Sequence, residues 1–225
     1  MSLLPYDNVA RRLVALQCHR DTAGGNVSEI GALQRDHLVA DGLRPSDKLV
    51  DFGCDSPGVK IALSSYLNSG NIYGIDYIAA LLADGYDPTP SYHALTGRPK
   101  LRNVGNERNF LSPFEGVLFD AALARDVFTH LPINHLRLCL ASLHPRMRTG
   151  GRFYCSLFIA QDDVDFSASI RQPPHGEVET FSYCDPFHVW ERDIHFAMEG
   201  LAWRLDGIHS WNHPRGQQMA HFVAV

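Results

Sequence analysis

The sequence lacks the features by which membrane proteins and nucleic-acid-binding proteins are usually identified. None of its apolar runs approaches the length of about 20 residues that a helix needs to cross a bilayer. Its 20 Lys and Arg residues are outnumbered by 25 Asp and Glu residues, and Arg11 and Arg12 are its one adjacent basic pair. Binding to nucleic acid or to an anionic lipid surface depends on clustered Lys and Arg. We therefore expect no nucleic acid and no membrane as a partner.

The sequence also lacks the paired cysteines of disulfide-rich and zinc-binding proteins. It has five cysteines, an odd number, and no two of them have C-x-x-C spacing. A disulfide framework and a zinc knuckle are therefore disfavoured. The first residues show no basic stretch followed by an apolar run, so we expect no secretory signal. Together these features predict reduced thiols in a cytoplasmic protein.

What the sequence does contain is the composition of an ordinary globular domain. Of its 225 residues, 45% are hydrophobic and 20% are charged. A chain of this length can bury a large core. We expect a single domain over residues 1–225, with residues 1–45 as an N-terminal helical cap. Residues 160–187 carry no periodic pattern and are expected to form an insertion near the cleft.

Segments with strand and helix character alternate along the middle of the chain. Segments typical of strands are 48–52, 71–75, 101–104, 117–124, 152–159, 203–209 and 218–225. Segments typical of helices are 28–40, 59–67, 78–84, 133–143 and 189–200. This alternation predicts an α/β fold, in which a doubly wound, mostly parallel sheet has helices on both faces. Ligands of such sheets bind at the carboxyl ends of the strands, beside the first strand.

The turn after the first strand, residues 53–58, indicates which cofactors the fold accepts. It has a glycine at each end, but Asp55 stands where dinucleotide-binding turns carry a middle glycine. A carboxylate there adds bulk and negative charge against a pyrophosphate. Nicotinamide and flavin cofactors are therefore disfavoured, whereas a cofactor with a sulfonium and an ammonium group is not. Asp55 can equally cap the following helix.

An acidic residue, Asp76, follows the second strand of the predicted sheet. A carboxylate at this position in dinucleotide-binding folds accepts hydrogen bonds from ribose hydroxyls. Together with the glycine-ended turn after the first strand, it predicts a site for a ribose-containing cofactor.

Several motifs in a fixed order give the sequence a resemblance to one enzyme family. They are LVDFGC (49–54), YGID (73–76), FDAALA (119–124), VFTHLP (127–132), TGGRF (149–153) and WNHPRGQQM (211–219). Together they resemble the class I S-adenosylmethionine-dependent methyltransferases. VFTHLP and HPRGQ are similar to motifs of a bacterial branch that acts on small molecules or sugars.

The resemblance implies a Rossmann-like sheet of seven strands in the order 3-2-1-4-5-7-6, with the last strand antiparallel. It also implies S-adenosylmethionine as the cofactor, and it assigns residues to three parts of that molecule. The methionine end is implied to lie against Asp51, Gly53, Cys54 and Asp55, the ribose against Asp76, and the methyl group beside Ala124, Arg125 and Asp126. Tyr77 is implied to be a further cofactor-binding residue.

Methyl transfer depends on positioning and, for a hydroxyl acceptor, on a base. Three histidines are candidates for the catalytic base, namely His130 after the fourth strand and His188 and His213 in irregular C-terminal segments. An imidazole that is neutral near physiological pH suits this role. Each of them can instead serve only to hold its own turn or loop. Arg215 can pair with an acidic group of the acceptor, or anchor its loop through backbone carbonyls.

Two functions remain open at this stage. The first is methyl transfer from S-adenosylmethionine to a small-molecule or carbohydrate-like acceptor, at an oxygen. The second is a cofactor-binding or interaction domain of the same fold without turnover. It is favoured by Asp55, where the family has a second glycine, and by Arg125 and Asp126, where it has a small polar pair. No metal site is predicted, because the twelve histidines include no H-x-x-x-H or H-E-x-x-H pattern on a predicted helix.

Overall fold

A computed structural model describes residues 27–54, 62–76, 100–103, 114–173 and 178–225. Its seven longer strands are β1 (Leu49–Phe52), β2 (Ile72–Asp76), β3 (Lys100–Asn103), β4 (Phe119–Ala124), β5 (Met147–Ile159), β9 (Trp203–Ser210) and β10 (Gln218–Ala224). Three two-residue strands lie between β5 and β9 along the chain, namely β6 (Ile170–Arg171), β7 (Glu179–Thr180) and β8 (His188–Val189). The seven longer strands form one sheet along the path β3-β2-β1-β4-β5-β10-β9.

The strand directions bring the carboxyl ends of the central strands to one edge of the sheet. β1 lies between β2 and β4 and is parallel to both, so that Asp51 is opposite Gly74 and Leu123. β3 and β5 continue the parallel arrangement on either side. β10 is antiparallel to both β5 and β9. The predicted mostly parallel sheet is therefore confirmed, with β8 as an additional strand that pairs with β5 outside the main path.

Helices cover both faces of the sheet. They are α1 (Val27–Ala40), α2 (Ile133–Leu143) and α3 (Glu191–Met198). Leu38 of α1 packs in one buried cluster with Leu49, whereas Leu136 of α2 and Ile194 of α3 pack in another with Val50. Leu49 and Val50 are consecutive in β1, and successive strand side chains point to opposite faces. The sequence therefore builds a three-layer core in which neither face of β1 is exposed to water.

Two predicted boundaries are wrong. The strand predicted over 152–159 begins earlier, at Met147. Gly150 has a φ of +77°, and the register with β4 shifts nearby, between Phe119 and Ala121. A glycine in this conformation produces an irregularity within the strand, and the ladder continues on both sides of it.

The second wrong boundary is the start of the helix predicted from residue 189. Val189 belongs to β8 and is opposite Ile159 of β5. The helix begins at Glu191, after Trp190, whose backbone amide donates a hydrogen bond of 2.9 Å to the Asp193 carboxylate. Pairing with β5 and this cap together decide where α3 starts.

The predicted insertion, residues 160–187, contains a small sheet of its own in which β6 and β7 are antiparallel. The predictions for Asp55, Tyr77 and the helix over 78–84 lie outside the described residues. Among the residues that are described, no helix is both long and apolar enough to cross a membrane.

Candidate functional site at the carboxyl ends of β1, β2 and β4

The turn after β1 is held against β2 and against the segment that follows β4. The backbone amides of Gly53 and Cys54 donate to the carbonyl oxygen of Ile75, at 2.8 and 3.3 Å. Gly53 has a φ of +66°, and a Cβ at this position would lie 2.8 Å from Cγ2 of Val127. Side chains other than glycine are therefore disfavoured here both by conformation and by contact.

Two buried carboxylates lie near this turn, on neighbouring strands. Asp51 in β1 is 5% exposed and Asp76 at the end of β2 is 4% exposed. Cys54 and Ala124, which the sequence also assigned to this region, are buried. Buried carboxylates are rare in proteins unless polar groups accompany them. The structure thus places acidic groups at the edge of the sheet where a ribose or an ammonium group can be recognised.

Arg125 and Asp126 follow β4 directly and bind each other. Nη1 of Arg125 lies 2.6 Å from Oδ2 of Asp126, and the two side chains are only 15% and 13% exposed. The backbone amide of Asp126, a residue with a φ of +55°, donates to Oγ of Ser156 at 2.9 Å. The side-chain amide of Gln217 donates to Oδ1, the other carboxylate oxygen of Asp126. Asp126 therefore fixes the loop after β4 to β5 and to the segment before β10.

His130 forms a hydrogen-bonded pair with a carboxylate of the insertion. Its Nδ1 lies 2.6 Å from Oδ1 of Asp185, and the side chains are 31% and 43% exposed. Burial by itself lowers the pKa of His130, but the hydrogen bond and charge of Asp185, together with the charge of Asp126, raise it above its usual value. An imidazole oriented by a carboxylate in this way is the arrangement of a general base and its partner.

His213 occupies a buried position in the loop that leads into β10. Its ring stacks on Trp211 with centroids 4.7 Å apart, and its Nδ1 accepts a hydrogen bond of 3.3 Å from the Arg215 backbone amide. Burial lowers the pKa of His213 to about 4, and Arg125 and Arg215 contribute to this shift. His213 is therefore neutral near physiological pH.

Electrostatics connect these residues into one polar cluster, which comprises Asp126, His130, His213 and Arg215. The charge of Asp126 raises the pKa of both histidines, and the charge of Arg215 lowers the pKa of both. His130 and His213, which are far apart in the sequence, are thus influenced by the same two charges.

His188, the third predicted base, lies apart from this cluster. Its Nδ1 is 3.0 Å from the Thr180 hydroxyl, and its ring packs edge-on against Trp190. Burial lowers its pKa, while Thr180 and the charge of Asp193 act in the opposite direction. These surroundings are those of a histidine that ties β8 to β7 and α3.

Several buried polar atoms around the polar cluster have no hydrogen-bond partner in the described part of the chain. They are the Thr129 hydroxyl, the Trp211 indole nitrogen and the side-chain oxygen of Gln217. A buried polar atom without a partner costs roughly 1–3 kcal/mol. Such atoms are commonly satisfied by ligands or by ordered water at functional sites.

The sequence did not indicate the partners Asp185, Gln217 and Ser156. Asp185 is 55 positions from His130, and Gln217 is 91 positions from Asp126. Gln217 lies within the motif that supported the family resemblance, so that motif was its one available signal. Within the described ranges, no group of His, Cys, Asp and Glu residues has the arrangement of a metal site.

No protein-family model matches the chain. Solved structures with the same fold include a magnesium protoporphyrin IX methyltransferase from Synechocystis PCC 6803 with SAH bound, at 15% identity and a TM-score of 0.64, with 94% of this chain and 95% of that chain covered. An amino pentose methyltransferase from Micromonospora echinaspora with SAM bound has 16% identity and a TM-score of 0.61, over 92% and 96% of the two chains. A S-adenosylmethionine-dependent methyltransferase from Clostridium acetobutylicum has 12% identity and a TM-score of 0.65, over 96% and 99%. The chain therefore has the fold of the class I S-adenosylmethionine-dependent methyltransferases.

Proposed function

We propose that this protein transfers a methyl group from S-adenosylmethionine to an oxygen of a small-molecule or carbohydrate-like acceptor. The observation that carries the proposal is a single edge of the sheet that holds the Gly53 turn, the buried Asp76 and the His130–Asp185 pair. Two of the similar structures, the porphyrin and the amino pentose methyltransferases, act on small molecules by their descriptions. In folds of this kind, ligands bind at the carboxyl ends of the parallel strands, which is the edge described here.

The residues of this edge fit the cofactor. A Cβ on Gly53 would fall against the Val127 side chain, so glycine lets the turn pack closely on the segment after β4, and we propose that the methionine part of the cofactor lies against this turn. We assign Asp51, Gly53 and Cys54, together with Asp55, to that part of the cofactor. Asp76 is assigned to the ribose, Tyr77 is assigned to the cofactor without a specific part, and Ala124, Arg125 and Asp126 are assigned to the border of the methyl group.

When bound, S-adenosylmethionine supplies a methyl carbon whose bond to the sulfonium breaks as the acceptor oxygen attacks, which leaves a neutral thioether. In this proposal His130 takes the proton of the acceptor hydroxyl at Nε2. Asp185, at Nδ1, orients the ring and stabilises the imidazolium that results. His213, neutral and buried, belongs to the same polar cluster, and His188 of β8 holds β8 to Thr180 of β7.

A second function, cofactor binding without turnover, is favoured by one observation. Arg125 and Asp126 neutralise each other where the family has small polar residues, and Asp126 also accepts from Gln217. In this second function, their bulk beside the methyl group would keep an acceptor out. Release of SAH upon incubation with S-adenosylmethionine and a panel of hydroxyl compounds decides between the two functions, because the second predicts tight binding and no release.

The test of the cofactor assignment is the substitution Asp76→Ala. Loss of charge-assisted hydrogen bonds to the ribose is expected to weaken binding by about 2–3 kcal/mol, measured by calorimetric titration with S-adenosylmethionine and with SAH. Asp162→Ala, which removes an exposed carboxylate from the insertion, is the matched control and is expected to bind as the unmodified protein does. Equal affinity of the Asp76→Ala protein and the control would contradict the assignment.

A further inference from the structure

The loop that carries Arg215 is anchored on both sides of this residue. Gln217 donates to Asp126, and the Gly216 amide donates to the His213 carbonyl oxygen at 3.0 Å. Gly216 has a φ of +74°, and a Cβ at this position would fall against the carbonyl oxygen of Pro173. The position of the Arg215 backbone is therefore set by its neighbours, before any ligand is present.

The guanidinium of Arg215 differs from that of Arg125 in its surroundings. Arg125 is paired with Asp126 at 2.6 Å, whereas in the described part of the chain no carboxylate forms an ion pair with Arg215. Its guanidinium likewise makes no hydrogen bond to a backbone carbonyl there, so loop anchoring does not account for it. Arg215 is half-buried, and its backbone amide donates to Nδ1 of His213 at 3.3 Å. Its charge lowers the pKa of both His130 and His213.

A half-buried, pre-positioned arginine beside a general base is suited to recognise one class of acceptor. The planar guanidinium binds a carboxylate or a phosphate through two parallel hydrogen bonds. The side-chain oxygen of Gln217, buried and without a partner in the described residues, can accept a hydrogen bond from a hydroxyl of the same molecule. The positive charge of Arg215 and the hydrogen-bond-accepting oxygen of Gln217 thus flank Gly216 in the sequence.

We propose that Arg215 binds an anionic oxygen group of the methyl acceptor, a carboxylate or a phosphate, so that the acceptor is a small hydroxylated acid. The proposal rests on the methyltransferase function proposed above. The anion and Arg215 fix the acceptor, and the acceptor's hydroxyl is thereby directed to His130.

The experiment compares acids with neutral molecules of matched shape. The panel is 4-hydroxybenzoate with 4-hydroxybenzamide, and glucuronate and glucose 6-phosphate with glucose. Binding of each compound to the SAH-loaded protein is followed by ligand-observed NMR, and methyl transfer by the release of SAH. We expect at least one acid to bind at least about tenfold more tightly than its neutral counterpart. This factor is the difference in affinity anticipated when the neutral compound lacks a charge-assisted hydrogen bond. Whether glucuronate or glucose 6-phosphate is preferred distinguishes a carboxylate from a phosphate.

Arg215→Gln is expected to abolish this preference, with the effect on turnover confined mainly to KM, and Arg215→Lys is expected to restore part of it. Arg204→Gln, which removes an exposed arginine from β9 and changes the net charge equally, is the control that keeps the preference. Binding of neutral compounds as tight as that of every acid, or an unchanged preference in Arg215→Gln, would overturn the inference while leaving cofactor binding intact. If the unmodified protein does not bind S-adenosylmethionine, the methyltransferase proposal is overturned instead.

Discussion

At the scale of single residues, the pairing of His130 with Asp185 determines how the candidate base titrates. Burial disfavours the imidazolium of His130, and Asp185 reverses this effect through a hydrogen bond and its charge. Because the pKa of His130 in the folded protein lies above its usual value, the pair stabilises the fold at pH values below the usual histidine pKa. This stabilisation is lost as the pH rises through the raised pKa.

We predict that Asp185→Asn lowers the pKa of His130, because the amide keeps the shape of the carboxylate but removes its charge. The titration of the His130 ring protons by NMR measures this shift without knowledge of the acceptor. Once an acceptor is known, the acid limb of the plot of kcat/KM against pH should also move to lower pH. Asp163→Asn, at an exposed position of the insertion, serves as the control, and a His130 pKa that is the same in both variants would contradict the pairing.

At the scale of elements, the turn after β1 and the segment after β4 are in contact through Gly53 and Val127. The contact joins the part of the site assigned to the methionine of the cofactor to the segment that ends in His130. Its tightness depends on the missing Cβ of Gly53, since an added methyl group would lie 2.8 Å from the Val127 side chain. A change in either element is therefore transmitted to the other.

Gly53→Ala is expected to destabilise the protein more than Gly116→Ala does. Both glycines have a positive φ, +66° and +78°, but the space around Gly116 is open. Each substitution imposes a conformational cost of about 1 kcal/mol, and the contact with Val127 adds roughly 1–3 kcal/mol at Gly53 alone. Urea unfolding measures the difference, and Val127→Ala in the Gly53→Ala background should recover much of it. Equal destabilisation by the two glycine substitutions would show that the contact is not tight.

The sequence predicted those elements whose local pattern and tertiary pairing agree. The α2 boundaries, Ile133 to Leu143, are as predicted, because apolar residues recur at helical spacing and Pro132 precedes them. Val189 was assigned to a helix because its pairing with Ile159 of β5 depends on a distant segment. The same reason applies to the site: His130 was identifiable from its motif, but its partner Asp185 lies in an insertion without a pattern.

At the scale of the whole molecule, a group of histidines around the buried His221 joins α1 to the antiparallel side of the sheet. Nε2 of His37 in α1 lies 2.7 Å from Nε2 of His221 in β10, and the His209 ring of β9 is 4.4 Å from that of His221. Burial lowers the pKa of His221 to about 4; the charge of Asp41 acts in the opposite direction, and His209, His37 and Arg152 add to the lowering. Around His221 the titratable and charged neighbours are His37 in α1, Asp41 just after α1, Arg152 and Tyr154 of β5, and His209 of β9.

Acid is therefore expected to destabilise the fold through this group. When the pH falls below the usual histidine pKa, His221 becomes protonated in the unfolded chain. In the folded protein it is protonated only near pH 4. The free energy of unfolding should fall as the pH decreases through this window, by on the order of 2 kcal/mol between about pH 7.5 and pH 5 for His221 alone. Urea unfolding at the two pH values measures the change.

His221→Gln is expected to flatten this pH dependence, since glutamine does not titrate. His195→Gln, at an exposed position of α3, is the matched control and should retain the full dependence. A His221→Gln protein that loses as much stability on acidification as the control would mean that other groups govern the acid response.

The position of β10 between β5 and β9 has a consequence for the order in which the sheet is completed. β9 precedes β10 along the chain, yet within the main sheet it contacts β5 only through β10. As the chain emerges from the ribosome, β9 therefore has no sheet partner to join until β10 has followed it. The two strands are then expected to dock on β5 together, as a preformed hairpin, and the open edge of β5 remains exposed to other chains until they do.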